Sequence, residues 1–114
     1  MRIDVKGRNT TVGDGLRERV DRRFEKVGRQ VSSLAHMEVE LWEERNPSIR
    51  ESQVAEATLY LKGVTLRACE RSASMVHSIN LAADDLARQV KRHRDKRRGR
   101  REAAKMETPE AAAS

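Results

Sequence analysis

The segment from Leu86 to Arg101, LARQVKRHRDKRRGRR, contains the side chains whose types and spacing most clearly suggest a chemistry. Nine of its sixteen residues are Lys or Arg, and Asp95 is its one acidic residue. Residues 1–85 are balanced, with 14 basic and 14 acidic side chains, so the net charge of +6 originates in this segment. Positive charge concentrated in this way is typical of a surface that binds a polyanion.

A solvated helix end is the alternative explanation for these charges, because cations near a helix C-terminus interact favourably with the helix dipole. That effect accounts for about two or three cations rather than nine. Seven of the nine are arginines, whose planar guanidinium binds phosphate through two hydrogen bonds at once. Like charges at this density repel one another unless an anion neutralises them. The composition therefore favours a nucleic-acid partner.

The histidines and the single cysteine do not form a catalytic or metal-binding pattern. His36, His77 and His93 have no second ligand at metal-binding spacing, and the sequence contains no glycine-rich nucleotide loop. Cys69 has no partner for an internal disulfide and no His placed by the sequence to activate it. His93 continues the apolar stripe of the last helix, where it either closes the edge of the core or faces RNA. We predict that the protein is not an enzyme and has no catalytic residue, metal or cofactor.

The low aromatic content of 3% limits the kind of nucleic-acid recognition that we expect. Phe24 belongs to a core stripe, which leaves no aromatic platform for stacking unpaired bases. No helix-turn-helix or zinc-finger pattern occurs. Binding is therefore expected to depend on phosphates, sugars and the shape of folded RNA.

The elements that must position the basic residues follow from hydrophobic periodicity. Apolar and polar residues alternate in the strands and recur every three or four residues in the helices. Ser74 is the expected N-cap of the last helix, whose apolar stripe stops at Val90 and whose end we place at Gly99. The predicted elements are strands at 2–7, 36–44, 53–61 and 64–70, and helices at about 14–28 and 74–99.

This β-α-β-β-β-α order predicts an α+β fold: a two-layer sandwich with a four-stranded sheet and two helices on one face. The other face is expected to meet water through Glu38, Glu40, Glu56, Thr58 and Arg67.

One domain is predicted over residues 1–98, followed by a basic and then Ala/Glu-rich disordered tail at 99–114. No signal peptide and no apolar run of about 20 residues occur, so we expect a soluble, cytoplasmic protein that does not contact a membrane.

Two segments, IDVKGRNTTVGDGLRERVDRRFEKV and VTLRACERSASMVHSINLAADDLARQVKRHRDK, resemble the ribosome hibernation promoting factor family, which includes the ribosome-associated inhibitor A proteins. The resemblance covers roughly residues 1–98, and its most specific part is the finish from Leu86 to Lys96. Three positions depart from the family pattern. Ser74 stands in place of the usual Asp, Val76 in place of the usual Tyr, and Gly13 where a Thr N-cap is common.

The resemblance implies a fold similar to double-stranded RNA-binding domains and a ribosome hibernation factor. Such a protein binds the small ribosomal subunit near the decoding region, blocks the mRNA and tRNA sites, and inhibits translation under stress or in stationary phase. Its expected partners are the small subunit and its rRNA, with no small-molecule substrate, and the free protein is expected to be monomeric. The alternatives are a general, nucleoid-type nucleic-acid-binding protein and a protein–protein module with an acidic partner.

The resemblance also implies which residues contact rRNA, and charge alone adds three more. Matching positions give Arg23 and Lys26 in the first helix and Arg88, Arg92, Arg94 and Lys96 in the last. Charge alone adds Lys91, Arg97 and Arg98. Long family members carry a second domain that pairs ribosomes into dimers, whereas the length of this chain is nearer to that of short members with a tail. Promotion and prevention of ribosome dimerisation both stay open, as does an origin as the N-terminal part of a long protein.

Overall fold

The computed structural model describes the backbone of residues 1–46 and 48–113, and the side chains of residues 1–46 and 48–103. The chain forms four strands and two helices in the predicted β-α-β-β-β-α order. The elements are β1 (Arg2–Arg8), α1 (Asp14–Arg29), β2 (His36–Glu43), β3 (Gln53–Leu61), β4 (Val64–Ser72) and α2 (Met75–Ala113).

The strands form one sheet in the order β1-β2-β3-β4. The β1 and β2 strands are parallel, so they require a crossover connection, which α1 provides. The remaining neighbours are antiparallel. The predicted tight turn joins β3 to β4, where Gly63 has a φ of +81° that few other residues adopt.

Both helices pack on the same face of the sheet, as predicted. Val20, Phe24 and Val27 of α1 are buried, and they recur at the spacing of one helix face. The buried residues of α2 are Ser78, Ile79, Ala82, Ala83, Leu86 and Val90. These two helix faces meet Met37, Val39, Leu41, Ala55, Ala57, Leu59 and Ala68 of the sheet. One continuous core therefore lies between the helices and the sheet.

The opposite face of the sheet is more covered than we predicted. Thr58 was expected to meet water, yet it is buried, because Arg67 on the neighbouring strand lies across it and its Nε donates a hydrogen bond to Thr58 Oγ1 at 3.3 Å. Val54, between Trp42 and Arg71 across the strands, is fully buried on this face. The three glutamates predicted here are partly exposed.

A cluster of serines fixes the first turn of α2 against the sheet. Ser74 acts as the predicted N-cap, and its Oγ accepts a hydrogen bond from the backbone N–H of His77 at 3.4 Å. The buried hydroxyl of Ser78 lies 2.7 Å from Ser72 Oγ and donates to the Gln53 carbonyl at 2.6 Å. These bonds join α2 to both β3 and β4, so the direction of the helix is set at its start.

The α2 helix does not end at Gly99, and our prediction of its end is wrong. It continues to Ala113, because Arg, Ala, Glu and Lys are strong helix formers and one exposed Gly costs only about 1 kcal/mol relative to Ala. At a rise of 1.5 Å per residue, roughly 34 Å of helix follow Val90. The predicted domain boundary at 98 and 99 falls inside this helix, and disorder of the tail stays a prediction. Its Ala/Glu-rich part lies outside the residues whose side chains are described.

The contact between α2 and β4 brings two carboxyl groups together. Burial and the neighbouring carboxylate of Asp85 raise the pKa of Glu70, while the guanidinium of Arg88 acts in the opposite direction. Beside them, Gln89 Nε2 donates to the Arg67 carbonyl at 2.8 Å and to Asp85 Oδ1 at 3.3 Å. This contact therefore combines a helix-to-strand hydrogen bond with a repulsive carboxylate pair.

Substitution of Gly7 by Ala is expected to destabilise the fold. The loop after β1 turns back over this residue, so a Cβ on Gly7 would lie 2.6 Å from Thr10 O and 2.7 Å from Val12 Cγ2. Overpacking of this kind should lower the free energy of unfolding by about 1–3 kcal/mol in urea denaturation. The control Gly15→Ala in α1 meets no atom within 4 Å and should raise it by up to about 1 kcal/mol. Equal stability of the two variants would contradict the close approach.

Substitution of Asp85 by Asn is expected to stabilise the protein at neutral pH. The raised pKa means that folded Glu70 holds its proton to a higher pH than in the unfolded chain, so its charge destabilises the fold above that pKa. Removing the Asp85 charge should lower the pKa of Glu70 and raise the free energy of unfolding by up to about 1 kcal/mol.

The gain should disappear in acid, where Glu70 is protonated in both states. Carboxyl NMR titration of Glu70 and urea unfolding at neutral and acid pH would measure both effects. Asp95→Asn, an equal charge change on an exposed part of α2, should leave the pKa of Glu70 unchanged. A gain in stability that persists undiminished in acid would rule out this explanation.

Candidate nucleic-acid interface

The buried stripe of α2 changes from apolar to arginine after Val90. Leu86 and Val90 pack in the core. Arg94, Arg97 and Arg101 follow at intervals of four, three and four residues, so they continue on the same side of the helix. The side of the helix that stabilises the fold therefore becomes, further along, a row of cations.

These arginines line an open cavity of about 370 Å³. Its other walls come from the loop that follows α1, at residues 30–32, and from Leu61 and Lys62 beside the β3–β4 turn. His93, which we expected either at the core edge or facing RNA, is partly buried in the cavity wall. Arg94, Arg97 and Arg98 of the predicted site are thus brought together by the fold.

The remaining predicted residues of α2 lie on other sides of the helix. Lys91, Arg92 and Lys96 are exposed. Arg92 and Lys96 project from the side that is turned away from the cavity, since one residue advances the helix by about 100°. Arg88 is exposed as well, but it lies close enough to Glu70 to oppose the rise in that residue's pKa, so part of its charge is offset within the protein.

The two predicted residues of α1 differ in their surroundings. Arg23 is only partly exposed, and its Nη2 donates to Asp84 Oδ1 at 3.3 Å, which links α1 to α2. The buried Nε of Arg23 has no hydrogen-bond partner among the described residues. Lys26 is exposed in the last turn of α1. Arg23 therefore has a structural role between the helices, and its contact with rRNA stays a prediction.

Two cations of the cavity were missing from our predicted site. Arg101 could have been found from the sequence, because it continues the interval of three and four residues that Arg94 and Arg97 establish. Lys62 gave no such signal. It lies in a turn that is remote in the sequence from α2, and only the folded chain brings it to the cavity.

The positive charge of this region is not compensated locally. The ion pairs among the described residues involve Arg2, Arg8, Arg23, Arg29 and His36, and none uses a cation of α2. Among the residues whose side chains are described, none of those that line the cavity is acidic. A cluster of unpaired cations raises the local electrostatic potential and attracts anions before contact. The geometry suits phosphate groups supplied by a partner.

The described residues offer little for other chemistries. No group of three or more His, Cys, Asp or Glu side chains among them is placed to hold a metal ion. Cys69 is exposed on the sheet face opposite the helices, where partial burial and the charge of Glu56 raise the pKa of its thiol and so reduce its nucleophilicity. Within the same part of the chain, no helix combines the length and hydrophobicity required to cross a membrane.

Comparison with known proteins identifies similar sequences of greater length. The chain is 29% identical over 111 residues to a ribosome hibernation promotion factor of Picosynechococcus sp., across 96% of this chain and 58% of that protein. It is 30% identical over 98 residues to a ribosome hibernation promotion factor of Staphylococcus aureus, across 82% of this chain and 48% of that protein. The chain thus spans about half the length of these curated relatives.

Solved structures show the same fold. The N-terminal domain of Thermus thermophilus Protein Y is 28% identical and superposes with a TM-score of 0.70, covering 82% of this chain and 99% of that one. A ribosomal subunit interface protein from Coxiella burnetii has the same fold, with a TM-score of 0.71 at 17% identity over 83% of this chain and 99% of its own. The predicted α+β class is confirmed.

A family model described as Sigma 54 modulation protein / S30EA ribosomal protein matches residues 3–98, which is most of the chain. The match includes the predicted rRNA-binding residues of both helices up to Arg98. The resemblance to ribosome hibernation promoting factors is thereby confirmed, and the chain belongs to the Sigma 54 modulation protein / S30EA ribosomal protein family.

Proposed function

We propose that this chain is a cytoplasmic ribosome hibernation factor that binds the rRNA of the small ribosomal subunit near the decoding region. Bound there, it blocks the mRNA and tRNA sites and inhibits translation under stress or in stationary phase. The curated relatives are named for ribosome hibernation, which supports this class of function. No chemical step is involved, because occupancy of the subunit alone excludes the other ligands.

The observation that carries the proposal is the uncompensated charge of α2 beyond Val90. Lys91, Arg92 and Lys96 point into solvent, while Arg94 and Arg97 line the cavity, so cations surround the helix. Each phosphate that such a side chain neutralises releases a condensed counterion from the RNA, and this release drives binding at low salt. A surface of this kind would bind a phosphate-lined channel from several directions at once.

The attachment of α2 to the sheet contributes to affinity, because it reduces the conformational entropy that is lost when the helix binds RNA. The Ser78 hydroxyl and the Gln89 amide hold the first half of the helix, and the buried stripe holds it as far as Val90. The cations that follow are displayed on a continuous helix at regular spacing. Because the helix is already formed, less conformational entropy is lost than when a flexible basic segment becomes ordered on RNA.

The sharpest test removes three exposed cations that the fold does not use. The triple variant Lys91→Ala, Arg92→Ala and Lys96→Ala should bind small ribosomal subunits more weakly in co-sedimentation over a salt series. The slope of log affinity against log salt should become shallower by about two units, since each lost phosphate contact contributes roughly 0.7–0.9. In a translation assay, the variant should inhibit protein synthesis less than the wild-type chain does at the same concentration.

A matched control removes the same number of charges elsewhere. Arg45→Ala, Arg50→Ala and Arg71→Ala are exposed and lie outside α1 and α2, so this variant should keep the wild-type salt slope. Identical slopes for the α2 variant and the wild type would show that the proposed surface is wrong. Equal affinity of the wild type for duplex DNA and for small subunits would favour a general nucleic-acid-binding protein instead.

A further inference from the structure

We infer that the cavity lined by Arg94, Arg97 and Arg101 binds a single unpaired nucleotide of RNA. Its phosphates would contact the arginines, and its base and ribose would pack on the apolar wall. This inference rests on the proposed function, because it assigns the part of the RNA that this site takes. It also separates the basic residues of α2 into two groups with different tasks.

The size of the cavity fits one nucleotide. Its volume of about 370 Å³ lies near the lower end of the range of roughly 300–1,000 Å³ that is typical of small-ligand sites. The groove of an RNA duplex presents a continuous surface and does not insert a paired base into a cavity of this size. An unpaired nucleotide can turn its base outward, and sequence-specific RNA recognition usually takes place at such nucleotides.

The charges around the cavity favour an anionic ligand. Among the residues whose side chains are described, five cations and no acidic residue line the cavity: Lys62, Arg94, Arg97, Arg98 and Arg101. Arginines three and four residues apart on one helix face destabilise it by roughly 0.2–0.5 kcal/mol per pair. A phosphate removes this repulsion and accepts two hydrogen bonds from one planar guanidinium. Such an arrangement selects phosphate from among small ligands.

The apolar wall indicates that the site takes more than a phosphate. Val31 and Leu61 are only partly buried, so they leave aliphatic surface open to a ligand in the cavity. A site for phosphate alone gains nothing from aliphatic side chains, whereas a base or ribose loses unfavourable contact with water when it packs against them. Arginine guanidinium planes also stack on bases. The inferred site thus adds one base contact to the phosphates, sugars and RNA shape on which we expect binding mainly to depend.

The test compares two double variants of equal charge in the 114-residue chain. Arg94→Ala/Arg97→Ala removes two cations from the cavity, and Arg92→Ala/Lys96→Ala removes two from the other side of the helix. Fluorescence anisotropy would measure their binding to a single-stranded RNA hexamer and to the same hexamer with its bases removed and its phosphates kept.

The wild type and Arg92→Ala/Lys96→Ala are expected to prefer the intact hexamer about tenfold, within the range of base-stacking contacts. Arg94→Ala/Arg97→Ala should show a preference close to one, although its loss of affinity for the hexamer without bases matches that of the other variant. Val31→Ser, which changes no charge, should also reduce the preference. Thermal unfolding would verify that each variant is folded.

Several results would overturn the inference. One is a wild type that binds the two hexamers equally. Another is a preference that survives in Arg94→Ala/Arg97→Ala alongside reduced stability, since these arginines would then only interact with the C-terminal end of α1. Displacement of the hexamer by an equal concentration of adenosine or uridine monophosphate would indicate a site for soluble nucleotides.

Co-sedimentation with small subunits separates this inference from the proposed function. A wild type that co-sediments without preferring the intact hexamer contradicts the nucleotide site alone. A wild type that prefers the intact hexamer but does not co-sediment with small subunits contradicts the proposed function and supports the nucleotide site in the cavity.

Discussion

The packing of α2 on the sheet is the interaction on which the basic surface depends. Full burial of an aliphatic side chain such as Ile79 or Leu86 contributes about 1.5–3 kcal/mol, whereas a like-charge pair on a helix costs only about 0.2–0.5 kcal/mol. Burial therefore outweighs the repulsion along the segment that follows, and the helix can carry dense positive charge. The order along the chain matters, because the stabilising residues end at Val90 before the cavity arginines begin.

The charge of the molecule is distributed unequally between the sheet layer and the helix layer. The sheet face opposite the helices places Glu38, Glu40 and Glu56 on its two central strands, while the cations of α2 extend from the other layer. On that face the glutamates are balanced by Arg8, Arg67 and Arg71 of the outer strands, so the excess of positive charge lies on α2 and attracts a polyanion to that side before contact. Contacts between acidic and basic side chains within the protein change where the positive potential is strongest. Asp84 binds Arg23 and the Glu70–Asp85 pair lies beside Arg88, so the most strongly cationic region is displaced towards the end of the helix.

Most of the fold could be predicted because each element buries one face, so that its apolar residues recur at the regular spacing of a strand or a helix. The misses occurred where a contact between distant residues decides the outcome. Thr58 alternates like an exposed residue, but Arg67 covers it from the next strand. Arg23 was predicted as an rRNA contact from its matching position in the family, and that contact stays a prediction, but the sequence did not indicate its hydrogen bond to Asp84, 61 residues away. In the candidate site, Arg94 was predicted from the family resemblance and Arg97 and Arg98 from charge, while Arg101 was missed although it continues their spacing. Lys62 and the loop at 30–32 join them only through the tertiary structure.

The inward-facing side of α2 packs in the core along its first half and lines the cavity further along. This arrangement explains how a protein with few aromatic residues could contact a base. In the first half of the helix, the inward-facing positions hold Ala83, Leu86 and Val90 against the sheet. The next inward-facing positions have no sheet layer to cover them and are arginines, so they face an open cavity whose wall is the exposed edge of the same core. Aliphatic surface and guanidinium groups thus meet where the core ends. On the opposite side of the helix the cations have no apolar neighbour, so they can contribute affinity for phosphates but no preference for a base.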